Sequence, residues 1–176
     1  MSPASVGAEE RFTGVFEATY GSIHAYARRR VGPDAADEVT AETFLVAWRR
    51  VADLPAEPLP WLYGIARNVV ARHGVAHSRR TATETALMRE RPRAESFPDE
   101  AGDPEVWQAW TNLRPADREV LALVAWEDLS VADAARALGC PAQVFSVRLH
   151  RARRRLERML ADPGTRTVPK TELSEV

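Results

Sequence analysis

The stretch Leu129–Arg153, LSVADAARALGCPAQVFSVRLHRAR, decides how the rest of the chain is read. Ser130 is a residue that caps a helix start, and Asp133 would sit near the orphan amides, where the helix dipole favours it. Ala134, Ala135 and Leu138 would form the inner face of that short helix. Gly139 suits a left-handed turn, and Pro141 suits the first turn of a following helix. Phe145, Leu149, Ala152, Leu156 and Met159 or Leu160 then make a buried stripe. This is the spacing of a helix-turn-helix: Ala135 lets two helices cross closely, Gly139 bends the chain, and Phe145 fills the gap.

The face away from the stripe carries Gln143, Ser146, Val147, His150 and Arg151, with Arg148 and Arg154 beside it. A major groove would meet these side chains, the early ones at base edges and the arginines at phosphates. An arginine-rich helix by itself is more often a solvated face; the adjoining turn signature tips the balance toward DNA. His150 has no neighbour spaced to share a metal, and no metal site is expected. Cys140 reads as small core filler. His24, His73 and His77 lack catalytic companions, and there is no glycine-rich phosphate loop or nucleophile elbow. No catalytic residue, cofactor or enzyme activity is expected.

Working outward, 176 residues allow one ordinary domain or two very small ones. No stretch approaches the roughly 20 apolar residues that cross a bilayer, and Met1–Glu10 shows no signal peptide. A lone cysteine excludes a disulfide framework. A reduced, cytoplasmic protein is the expectation. Net charge is only −1, and 23 of the 24 cations are arginine, so placement along the chain matters more than the total.

That placement divides the chain. Residues 10–80 read as helical; within them Trp61–Arg80 holds Arg67, Arg72, Arg79 and Arg80 and no acid. Residues 81–105 mix acids with Pro92, Pro98, Gly102 and Pro104 and bury too little to offset their ordering entropy, so they read as a flexible acidic linker. Residues 106–160 are helical again, and 161–176 read as a disordered tail. In the first zone Phe12, Val15, Phe16, Thr19, Ile23 and Tyr26 form one stripe. Gly32-Pro33 breaks the chain, and Asp34 opens a second helix containing Val39, Phe44, Val46, Ala47 and Trp48. Pro55, Pro58 and Pro60 predict a stiff loop, and a third helix is predicted from near Trp61 to about His77. Nothing alternates at period two over a useful length. The predicted fold is all-α, two small helical domains on a tether.

With these motifs in order, the chain from about Phe12 to Leu160 resembles an extracytoplasmic-function (ECF) sigma factor of bacterial RNA polymerase. Leu113-Arg114-Pro115-Ala116-Asp117-Arg118, the helix-turn-helix and Arg148-Leu149-His150-Arg151-Ala152-Arg153 look like region 4. Asp34–Phe44 with Ala47-Trp48, then Pro60–Asn68, look like region 2. The resemblance implies a transcription initiation factor that recruits core polymerase, reads the −35 element with region 4 and opens the −10 element with region 2. It implies contact with the β′ clamp helices through Asp37, Glu38, Glu42, Phe44 and Trp48, and a further contact with the β flap. Arg67, Asn68, Arg72, Arg79 and Arg80 would hold the −10 strand, Asn68 at a position matching a base pocket. Trp61 and Tyr63 are either stacking platforms or core. An anti-sigma factor is a further implied partner.

The family's pattern is not matched everywhere. Ala41 replaces a common Gln before Glu42-Thr43-Phe44. Gln143-Val144-Phe145-Ser146-Val147 replaces the usual Gly-Thr-Val-Lys-Ser, so the −35 sequence cannot be carried over. The competing readings are a stand-alone helix-turn-helix regulator binding an operator as a dimer, and a helical adaptor docking proteins through Phe44 and Trp48.

Overall fold

A computed structural model describes the backbone of residues 3–84 and 103–161 and the side chains of residues 7–74 and 103–161. The expected tail, and most of the expected linker, lie outside the described residues. Among those described there are seven α-helices and no strand.

Helix α1 (Pro3–Val31) ends at Gly32, whose φ of 81° lies in the left-handed region that a residue without Cβ adopts cheaply. Arg28, Arg29 and Arg30 occupy its last turn, where the dipole favours cations. Pro33 starts α2 (Pro33–Arg49), since the first helical N–H has no partner to lose. A single 3-10 turn, Val51–Asp53, leads to α3 (Pro58–Glu84). The third helix therefore begins three residues before the predicted Trp61 and runs well past His77. Pro58 and Pro60 fall in its first turn rather than in a loop, because no intrahelical N–H bond is demanded there.

The second half holds α4 (Pro104–Asn112), α5 (Pro115–Ala125), α6 (Val131–Leu138) and α7 (Ala142–Ala161). The Asp103 carboxylate caps α4 by accepting from the Glu105 amide at 2.9 Å. Trp110 and Trp126 pack at 4.5 Å between centroids, and an Arg155–Asp117 ion pair ties α7 to α5.

The first three helices surround Ile23, Tyr26, Val39, Phe44, Leu62 and Val69. Thr40 and Thr43, fully buried, satisfy their hydroxyls by donating to Ala36 O and Val39 O, both at 2.7 Å. The last four close over Leu123, Ala134, Phe145, Leu149 and Ala152. The two groups do not stand apart: their buried residues form one continuous cluster, and α6 packs directly on α3. A Cβ added at Gly64 would lie 3.1 Å from the Ala137 carbonyl oxygen. The glycine is what permits that approach.

Candidate nucleic-acid interface

The helix-turn-helix is built by local chemistry. The Ser130 hydroxyl accepts from the Asp133 amide at 3.1 Å and donates to the Asp133 carboxylate at 2.6 Å. That Ser130 hydrogen bond, with help from Arg136, holds the Asp133 carboxyl below the usual range. At the other end Gly139 adopts φ 63°, ψ 36°, and its amide and that of Cys140 return to Arg136 O and Ala135 O at 3.1 and 3.0 Å. Phe145 of α7 is fully buried, and Cys140 packs against the same core.

With one face of α7 fixed by Phe145, Leu149 and Ala152, helical geometry settles the other. Gln143, Val147, His150 and Arg154 line the exposed ridge, Arg151 adjoins it, and Ser146 and Arg148 sit at its shoulders; all seven are exposed. Ser146 turns its hydroxyl back to Ala142 O at 2.9 Å. Arg148 and Arg151 make no ion pair among the described residues, and Arg154 reaches Glu157 only at 3.9 Å. Unpaired guanidinium groups beside an exposed valine and histidine suit phosphates and base edges.

On α3, Asn68 and Arg72 are exposed one turn apart and Arg67 is half-buried beside them. Arg72 is tied to Glu42 of α2 at 2.9 Å. Arg79 and Arg80 lie on α3, but their side chains are outside the described residues. Tyr63 is buried, with its hydroxyl 3.4 Å from Glu127, so it is no open stacking platform here. Trp61 is half-buried, with Arg50 over its ring at 5.5 Å.

The acidic edge of α2 is partnered: Asp37 meets His24 at 3.1 Å, Glu38 meets His73 at 3.7 Å, and Glu42 meets Arg72. The two aromatic candidates differ in exposure. Phe44 is 5% exposed and lies under Phe16 at 4.7 Å, whereas Trp48 is 41% exposed and leans on Phe12 at 5.0 Å. Phe44 thus supports the face from beneath and cannot itself be an anchor. The exposed patch is Phe16, Tyr20, Leu45 and Trp48. Three of those four were missed from sequence, Phe16 because it continues the stripe that predicts burial.

Comparison with known proteins bears on both halves. Residues 15–80 match the model of Sigma-70 region 2, and residues 105–156 match that of Sigma-70, region 4. The chain is 36% identical over 136 residues to the ECF RNA polymerase sigma factor SigC of Mycobacterium tuberculosis, covering 73% of this chain and 70% of SigC. The chain belongs to the ECF sigma factors. It is also 30% identical over 168 residues to the ECF RNA polymerase sigma factor BldN of Streptomyces coelicolor, covering 90% of this chain. It spans 64% of BldN's length. In fold it resembles the sigma factor RpoE of Bartonella quintana, solved in complex with the anti-sigma factor NepR, at a TM-score of 0.65 and 22% identity. That likeness covers 88% of this chain and 99% of RpoE. Sigma factors are initiation factors and not enzymes.

In this sigma factor the sequence reading also passed over a polar cluster joining the regions. Arg30 of α1 donates to Glu119 of α5 at 3.0 Å and to Glu127, beyond α5, at 3.1 Å; Arg29 also pairs with Glu127. The Tyr26 hydroxyl donates to Glu119 at 3.0 Å, and its ring lies under the Arg30 guanidinium at 3.5 Å. Burial pushes the Tyr26 and Tyr63 phenols well up, against the pull of Arg30 and Arg29 respectively. Burial works against the Arg30 charge, but Tyr26, Glu119 and Glu127 outweigh it and its pKa rises. No helix among the described residues is long and apolar enough to cross a membrane.

Proposed function

We propose that this sigma factor acts in the cytoplasm, joins core RNA polymerase and directs it to promoters. Its α7 ridge, Gln143, Ser146, Val147, Arg148, His150, Arg151 and Arg154, reads the −35 element. The α3 surface of Arg67, Asn68 and Arg72, with Arg79 and Arg80, engages the −10 strand. Trp48 with Phe16, Tyr20 and Leu45, rimmed by Asp37, Glu38 and Glu42, is the surface for the polymerase β′ clamp helices, and region 4 meets the β flap. An anti-sigma factor is a further partner, in keeping with the NepR complex of the similar RpoE.

The single observation that carries the reading is the α7 ridge with its unpaired Arg148 and Arg151, in a chain that also carries region 2. A stand-alone regulator would have no use for region 2. Run-off transcription with purified core polymerase tests it: a specific transcript should appear only with this protein. Operator binding without any effect on polymerase would overturn it.

A further inference from the structure

We propose that Val144 and Val147 of α7 form an apolar reader for the 5-methyl group of thymine within the −35 element. This rests on the promoter reading above and names the chemical group that the site selects. Val144 is 41% and Val147 50% exposed. At about 100° per residue they share one flank of α7 with Arg148 and Arg151, each valine having one of those arginines a turn beyond it. Among the described residues the ion pairs of α7 are made by Arg154 and Arg155, which leaves Arg148 and Arg151 free to hold phosphates.

Nothing inside the protein accounts for two valines there. Half-exposed side chains contribute little packing, and valine is a weaker helix former than the leucine, alanine and arginine that fill the rest of α7. The family pattern has hydroxyl-bearing Thr and Ser at these two positions, and this chain carries methyls at both. The neighbouring hydroxyl, that of Ser146, donates back to Ala142 O at 2.9 Å.

The base edges of a major groove carry one apolar group, the thymine C5-methyl; their other features there are hydrogen-bond donors and acceptors. A valine pressed on the amino group of cytosine or adenine strips water from a donor and returns no partner. Pressed on a methyl, it buries apolar surface and strands nothing. The pair therefore attracts thymine and disfavours the other bases by desolvation. Valine keeps close to a single χ1 rotamer in a helix, so contact costs little freedom. Cβ atoms three residues apart on a helix are about 5–6 Å from each other, against about 3.4 Å per step along a DNA strand, so the two valines span neighbouring steps. An apolar pair framed by free cations suits a polyanion and repels the same face of a second copy.

The test uses polymerase holoenzyme formed with this chain to select duplexes from a library randomised across the −35 element. Each thymine of the enriched sequence is then replaced singly by deoxyuridine, which lacks only the methyl. At one thymine, or two in succession, the replacement should weaken holoenzyme binding by about 4-fold, the equivalent of one buried methyl at about 0.8 kcal/mol. Cytosine placed at the same position should gain by a similar factor when exchanged for 5-methylcytosine. Val144→Ser and Val147→Ser should bring the ratio of thymine to deoxyuridine binding toward one and leave binding to the deoxyuridine duplex near that of wild type. An enriched element that tolerates deoxyuridine at every thymine, or serine variants that keep the full ratio, would overturn the methyl reader and leave the promoter reading intact. Serine variants that change self-association in light scattering but not the ratio would assign the face to a second copy instead. A library from which no −35 sequence is enriched sinks the promoter reading, and the methyl reader with it.

Discussion

At the scale of single residues, the α7 ridge converts a pattern into testable energies. If Arg151 meets a base edge, Arg151→Ala should weaken −35 binding by roughly 1–3 kcal/mol and relax preference at one position, readable by promoter-variant binding with polymerase present. Arg148→Ala, at the shoulder, should instead lower affinity for all sequences and reduce the slope of log affinity against log salt by about 0.9. Asn68→Ala should impair promoter opening, followed by permanganate reactivity, and spare −35 binding. Phe145, fully buried, should cost about 3–5 kcal/mol on truncation to Ala, measured by denaturant melts. Trp48→Ala should weaken polymerase binding by about 2 kcal/mol or more if it is a true anchor, while Phe44→Ala should first show as lost stability.

At the scale of elements, the helix-turn-helix was legible because its determinants are local. A serine at the cap, a glycine at the left-handed stop and a stripe at helical spacing each act within one turn of the chain. Asp133 adds a pH dependence with a definite sign. Its folded-state pKa is depressed by the Ser130 bond, so its contribution is present above the unfolded value of about 3.9 and is lost as pH falls through the folded one. Ser130→Ala should cost about 0.5–2 kcal/mol near neutrality and shrink that acid-side loss. The start of α3 was not legible: Pro58 and Pro60 fit a loop or a first turn equally well, and the surrounding packing decides. Which of Trp48 and Phe44 is exposed was not legible, because both lie on α2 near its apolar stripe, and Phe16 of α1 covers Phe44 and leaves Trp48 out.

At the scale of the molecule, nothing in the sequence announced the docking of the two regions. Arg30 and Glu119 are 89 residues apart, Arg29 and Glu127 98, and no periodicity links charges across such separations. The buried phenols supply a solution test. Tyr26 and Tyr63 titrate higher in the folded protein than in the unfolded chain. Their contribution is therefore complete below about pH 10 and is lost as pH rises through the folded values. Thermal melts should show stability falling on the alkaline side, and Tyr26→Phe with Tyr63→Phe should flatten that limb. Arg30, whose guanidinium lies over the Tyr26 ring and whose pKa is raised, stays charged throughout.

The close seat of Gly64 on Ala137 has one more outcome. Because side chains of α1 and α3 hold those of α5 and α6 directly, a gene split within codons 85–102 should yield two polypeptides that find each other in the cell and elute together. Each fragment alone would present a sticky, half-built surface to whatever else is dissolved around it.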